Sequence, residues 1–280
     1  MFSNLSDLKK AGFFYGLVMV LTTSVCLLFR LLAPDSELVV LVHNLTPVLV
    51  TILMLYVFTR DGYAKDGRFS LGLRRAGWRY WGLALLLPLL VLGVSYGLAW
   101  ISGAVTLAMP TESGWLRTLS LDLSIGFLVT TLFALSEEIG FRGYMLPRML
   151  RLGTTRALIL SGFLFASYHL PVIFLTPFFM NEGSRLLTIP IFLLVLTAAG
   201  VIYGALRLAA DSIWPSTIMH GVSNSFLGIV GSMTVLSSPA AIYLVGESGM
   251  ITLVITTAVA LWMLRRRDTA VQRIPALDQS

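Results

Sequence analysis

The chain has 280 residues, 56% hydrophobic and 12% charged, with a mean hydropathy of +0.84 and a formal charge of +6. A soluble domain carries about 25% charged residues, so a water-soluble globule is excluded and lipid must cover the apolar surface. One cysteine, Cys26, leaves no internal disulfide framework and no cysteine-based zinc site.

A spanning helix needs about 20 apolar residues at a rise of about 1.5 Å each. Eight such segments follow in chain order: 12–33, 38–59, 82–104, 122–143, 157–178, 188–208, 212–236 and 248–264. Basic residues gather in alternate connections. Lys9 and Lys10 precede the first segment, and Arg60, Lys65, Arg68, Arg74, Arg75 and Arg79 follow the second. Arg148, Arg151 and Arg156 follow the fourth, Arg207 ends the sixth, and Arg265, Arg266 and Arg267 follow the eighth. The other connections carry Asp35 and Glu37, Glu112 with Arg117, Glu182 with Arg185, and Glu247. This alternation satisfies the positive-inside rule for eight spans with both termini in the cytoplasm. Basic excess therefore records topology and implies no nucleic-acid partner. The first run has full span length and no small-residue cleavage site, so no cleavable signal peptide is expected.

The expected fold is all-α: a polytopic membrane bundle of about eight transmembrane helices. Residues 1–121 hold three spans and a basic loop, 122–236 hold a polar core, and 237–280 hold the last span and a polar tail. Residues 60–79, with Phe69, fit an amphipathic interfacial stretch or a solvated loop belted by Trp78, Tyr80 and Trp81. Gly200 and Gly204 form a small-xxx-small pattern, which predicts helix packing. Asp211 or Ser212 can cap the seventh helix, with Pro215 in its first turn.

Ionisable groups inside a bilayer cost several kcal/mol and mark function or structural pairing. Segment 4 ends Ser136-Glu137-Glu138-Ile139-Gly140-Phe141-Arg142. Glu138 and Arg142 are four apart and share a helix face. Glu137 points about 100° away, so one carboxylate can be neutralised while the other stays available. Segment 5 carries Phe165 one turn before His169, and segment 7 carries His220 and Asn224 on one face. A histidine or asparagine in a span can also be helix–helix glue, and Glu138–Arg142 a structural ion pair. His220 and Asn224 can both donate to a developing oxyanion. By helical rise Glu137 lies about 9 Å, His220 about 12 Å and His169 about 18 Å from the basic end of the bundle. A shared site reached by water from the cytoplasm is the expectation. His43 has no co-facial titratable partner and is expected to be structural, or at most to stand behind the site.

Glu-Glu-x-x-x-Arg at 137–142, Phe-x-x-x-His at 165–169 and His-x-x-x-Asn at 220–224 occur in order on separate helices. Together they resemble the CPBP family, the CAAX prenyl protease type 2 and Abi bacteriocin-processing membrane proteases, over residues 122–230. The run Ser212-Ile-Trp-Pro is also similar to the family. The resemblance implies an intramembrane endopeptidase. In it Glu137 with His169 would activate water, and His220 with Asn224 would hold the oxyanion. Glu138 and Arg142 would hold the site together, and Phe165 would wall it. No motif position departs from the pattern.

Two imidazoles and a carboxylate form a set that zinc accepts with a water, yet no His-Glu-x-x-His motif occurs. Water activation by Glu137 and His169 needs no metal and uses the same residues. Both routes stand at this point, and the metal-free one is the expectation. Ser167 and Ser223 show no nucleophile arrangement. The expected substrate is a membrane-associated peptide or protein, cut near the cytoplasmic leaflet of a prokaryotic inner membrane. A proton-coupled transporter also uses buried carboxylates and histidines, but no internal repeat is visible. A non-catalytic scaffold or immunity protein predicts eroded motifs, and these are complete.

Overall fold

The computed structural model describes residues 4–63, 71–108, 115–178 and 183–272. Helix α1 (Asp7–Leu32) packs on α2 (Leu38–Leu53), which runs on through a wide π turn at Met54–Phe58. Helix α3 (Trp81–Ile101) leads to strand β1 (Val105–Leu107). Helix α4 (Trp115–Leu121) passes through a π turn into α5 (Phe127–Glu138). A second π turn, Ile139–Met145, joins α5 to the short α6 (Leu146–Met149). Then come α7 (Thr154–Ser167), α8 (Leu170–Leu175), α9 (Arg185–Ala210) and α10 (Trp214–Ser232). Strand β2 (Thr234–Leu236) and α11 (Met250–Gln272) follow.

The bundle is all-α apart from the β1–β2 ribbon, and it is built as a multi-pass membrane protein. Six helical stretches among the described residues are long and apolar enough to span: Asp7–Leu32, Leu38–Phe58, Trp78–Ile101, Trp115–Leu152, Thr154–Leu175 and Arg185–Ala210. Helices α10 and α11 occupy the seventh and eighth expected segments. Helix α10 is less apolar because it carries His220, Ser223, Asn224 and Ser225.

Segments 4 and 8 run longer than expected, through Trp115–Leu152 and to Gln272, and three others end short or break. Segments 3 and 7 stop at Ile101 and Ser232, and the residues beyond pair as an antiparallel ribbon, Val105 opposite Leu236 and Leu107 opposite Thr234. Gly103 takes φ +72° and ends α3. The β-branched Val105, Thr106, Thr234 and Val235 then favour a pleated path. Segment 5 breaks at Tyr168 and His169. Pro171 has no N–H to give the Ser167 carbonyl, so the helix restarts as α8 with Pro171 in its first turn.

Helices α7 and α9 approach most closely at glycines. A Cβ on Gly200 would lie 2.6 Å from the Gly162 Cα, and one on Gly162 would lie 2.5 Å from the Thr197 carbonyl oxygen. A Cβ on Gly204 would meet Leu158 at 2.7 Å, so Gly200 and Gly204 serve packing as expected.

The described part of the basic loop is docked through its backbone, while Arg74, Arg75, Trp78 and Arg79 stay exposed. The Ile213 N–H donates to the Gly72 carbonyl at 3.1 Å, and the Trp214 indole N–H donates to the Leu73 carbonyl at 3.0 Å. Arg75 pairs with Asp211 at 2.8 Å, and Leu71 is buried. Ser212 Oγ receives the Trp214 N–H at 3.2 Å, while Asp211 closes α9 in the left-handed region. Residues 71–77 therefore strap the basic end of α9 and α10. Lys65, Arg68, Phe69, Glu112, Glu182 and the tail from 273 lie outside the described residues. Nearby, Asp61 takes hydrogen bonds from Lys10 at 2.7 Å and Arg148 at 3.1 Å.

Candidate active site

A cavity of about 420 Å³ lies inside the bundle. Glu137 of α5, Phe165 of α7, His169, and His220 and Asn224 of α10 all line it. Its walls include Val40, His43 and Asn44 from the start of α2, Gly228 and Gly231 from the end of α10, and Thr252 from the start of α11. These helix ends meet the connections that carry little basic charge. The cavity therefore reaches away from the strapped basic end, whereas the sequence led to an opening from that end.

Glu138 and Arg142 are wholly buried, with Glu138 Oε1 3.1 Å from Arg142 Nη1. The guanidinium lies 4.1 Å from the Phe165 ring centre and 5.4 Å from that of Tyr203. It makes no aligned hydrogen bond among the described residues, so charge and ring quadrupoles hold it. The π turn begins right after Glu138, a local widening often found at functional sites.

Glu137 faces elsewhere, as the helical angle predicts. Tyr168 donates a short hydrogen bond to Glu137 Oε1, and Glu137 Oε2 is 3.6 Å from His220 Nε2. His220 Nδ1 is 3.3 Å from Glu138 Oε1, so one imidazole bridges the two carboxylates. Donation from Nδ1–H to Glu138 turns Nε2 toward Glu137 and the cavity. With Arg142 and two carboxylates, one proton shared by Glu137 and His220 brings this buried cluster to zero net charge, the state a low dielectric favours.

His169 sits at the helix break, with Nδ1 3.1 Å from the Phe165 carbonyl oxygen. Donation there leaves Nε2 as the ring's acceptor. Phe165 props both histidines edge-on, with ring centres 5.4 Å from His169 and 5.6 Å from His220. Asn224 is half-buried, and its side chain makes no hydrogen bond to another described residue. Ser167 bonds Tyr15 at 2.7 Å, and Ser223 donates to the Met219 carbonyl at 2.9 Å, so neither is poised as a nucleophile.

Tyr168, Tyr203 and Glu247 escaped the sequence reading, and His43 stands behind the site, as the sequence allowed. Tyr168 holds Glu137, and Tyr203 stacks on His220 with ring centres 5.0 Å apart. His43 stacks on Tyr168 at 4.6 Å and lies 5.6 Å from His169, and neither of its nitrogens has a hydrogen-bond partner among the described residues. Glu247 also lines the cavity. A tyrosine in an apolar run was the available signal for the first two, because a buried phenol needs a partner. No three His, Cys, Asp or Glu side chains among the described residues converge as a metal-ligand set.

The family model for Rce1-like type II CAAX prenyl endopeptidases matches residues 118–226. Every motif residue from Glu137 to Asn224 falls inside that match, and His43 and Glu247 fall outside it. No curated protein matches the chain.

Proposed function

We propose, from the chain's membership of the Rce1-like type II CAAX prenyl endopeptidase family through residues 118–226, that this peptidase hydrolyses a peptide bond of a membrane-associated peptide or protein inside the bilayer. The single observation supporting the reading is that Glu137, His169, His220 and Asn224, from three separate stretches of chain, line one internal cavity.

Peptide hydrolysis needs an activated water, oxyanion donors and a proton for the leaving nitrogen. Glu137 and the acceptor nitrogen of His169 hold the water, and Glu137 takes its proton as the oxygen attacks the carbonyl carbon. The carbonyl π electrons move to oxygen, and the oxyanion takes hydrogen bonds from the Asn224 amide and His220 Nε2–H. Glu137 then gives the proton to the nitrogen as the C–N bond breaks. Tyr168 orients the Glu137 carboxylate through their hydrogen bond. Arg142 and Glu138 act through His220, fixing its ring by the 3.3 Å contact at Nδ1. Water activation by Glu137 and His169 needs no metal, so no step is routed through one.

Membranes from cells producing the wild-type chain and Glu137→Ala are compared by peptide-resolved proteomics. Defined precursors should stay intact only with the variant. Identical cleavage patterns in both, with equal amounts of folded protein, would overturn the reading.

A further inference from the structure

The cavity continues well past the reacting groups. Along α10 it runs from His220 to Gly231, about 16 Å at the helical rise. Most of this extension is apolar, lined by Leu87, Leu92, Leu227 and the small Gly228 and Gly231. Glu247, on the loop between β2 and α11, also lines the cavity, within electrostatic reach of His220 and Glu137. Glu247 makes no hydrogen bond or ion pair to another described residue. No lysine or arginine lines the cavity among the described residues. Tyr96 stands behind the loop, its hydroxyl 3.6 Å from where a Cβ on Gly246 would lie.

Glu247 is half-buried, and a partly desolvated carboxylate with no ion-pair partner gains when a cation arrives to pair with it. Burial pushes the Glu247 carboxyl up to about 7, with His220 pulling it down and Glu137 pushing it up. This wall of the cavity is thus poised to gain from a bound positive group and to repel a free carboxylate.

We propose that Glu247 is a specificity-determining residue that accepts a cationic group of the substrate, a lysine-type side chain or a terminal ammonium. The inference rests on the peptidase reading for the word substrate, but its test reads occupancy and not turnover. Gly231→Cys places a thiol in the cavity, where a Cβ meets nothing within 4 Å. In proteoliposomes, its modification by a thiol reagent is slowed by occupants. The probes are N-decanoyl-lysine amide, N-decanoyl-norleucine amide, N-decanoyl-glutamate amide and a decyl ester of glycine with a free ammonium.

With Glu247 present, lysine or the free ammonium should protect at about tenfold lower concentration than norleucine. Whichever cation protects better identifies the group. Glu247→Gln should bring that ratio near one, and Glu247→Lys should favour the glutamate probe. An unchanged cation-to-norleucine ratio in Glu247→Gln overturns the proposal while leaving Glu137-dependent cleavage standing. Loss of Glu137-dependent cleavage, conversely, does not move this ratio.

Discussion

Replacing Arg142 by Met should separate structure from chemistry at the buried cluster. Both members of the Arg142–Glu138 pair have no exposed side-chain surface, and they sit 3.1 Å apart. Removing one partner of a buried pair costs about 3–5 kcal/mol, because the other charge is left uncompensated. The Phe165 face, 4.1 Å from the guanidinium, loses its cation as well, an effect of up to about 2 kcal/mol that overlaps the first. Arg142→Met is therefore expected to lose about 3–5 kcal/mol. Glu138→Gln in the same chain removes the stranded charge, so the double variant should recover about 2 kcal/mol or more. Unfolding of the purified protein in lipid–detergent micelles, run as a four-member cycle, reads these differences. Peptidase activity should stay lost in the double variant, because His220 Nδ1 no longer faces a carboxylate. Additive losses in the double variant would refute the coupling.

Asp61 offers a pH-dependent counterpart outside the membrane-spanning segments. Burial opposes its charge, but hydrogen bonds from Lys10 and Arg148 prevail and hold its carboxyl below the ordinary range. A depressed folded-state value means the contribution is present above the unfolded value of about 3.9 and disappears as pH falls through the folded one. Asp61→Asn should cost about 1–2 kcal/mol near neutrality, and its gap from wild type should close in acid unfolding measurements. The direction of the cavity predicts that Gly231→Cys is modified by an impermeant thiol reagent from the face away from Arg75, and Arg75→Cys from the opposite face. Equal labelling of both from one side would contradict that geometry. Stringent chelation, with metal analysis of the purified protein, should leave turnover unchanged; loss restored by zinc would replace the metal-free route.

Much of this arrangement was visible as periodicity. Apolar run length marked the helices, and fourfold spacing put Glu138 with Arg142 on one face. The 100° offset likewise turned Glu137 to another neighbour. What escaped depends on contacts between distant elements. Tyr168 reaches Glu137 across the bundle from the last turn of α7. His43 has no titratable neighbour along α2, and its partner rings come from the break between α7 and α8. The strap at 71–77 depends on loop carbonyls that meet Ile213 and Trp214, and side-chain patterning carries no trace of that. Glu247 reads in one dimension as an ordinary loop charge, and only the folding back of its connection brings it to the cavity.

The most direct measurement follows one identified substrate with purified, reconstituted protein. Glu137→Gln keeps the side chain's shape and its contact with Tyr168 but cannot accept a proton from water. Single-turnover cleavage should fall by about 10³-fold or more while unfolding stays close to wild type. Cleavage within about threefold of wild type, a difference of under 1 kcal/mol in the barrier, would mean that another group activates the water.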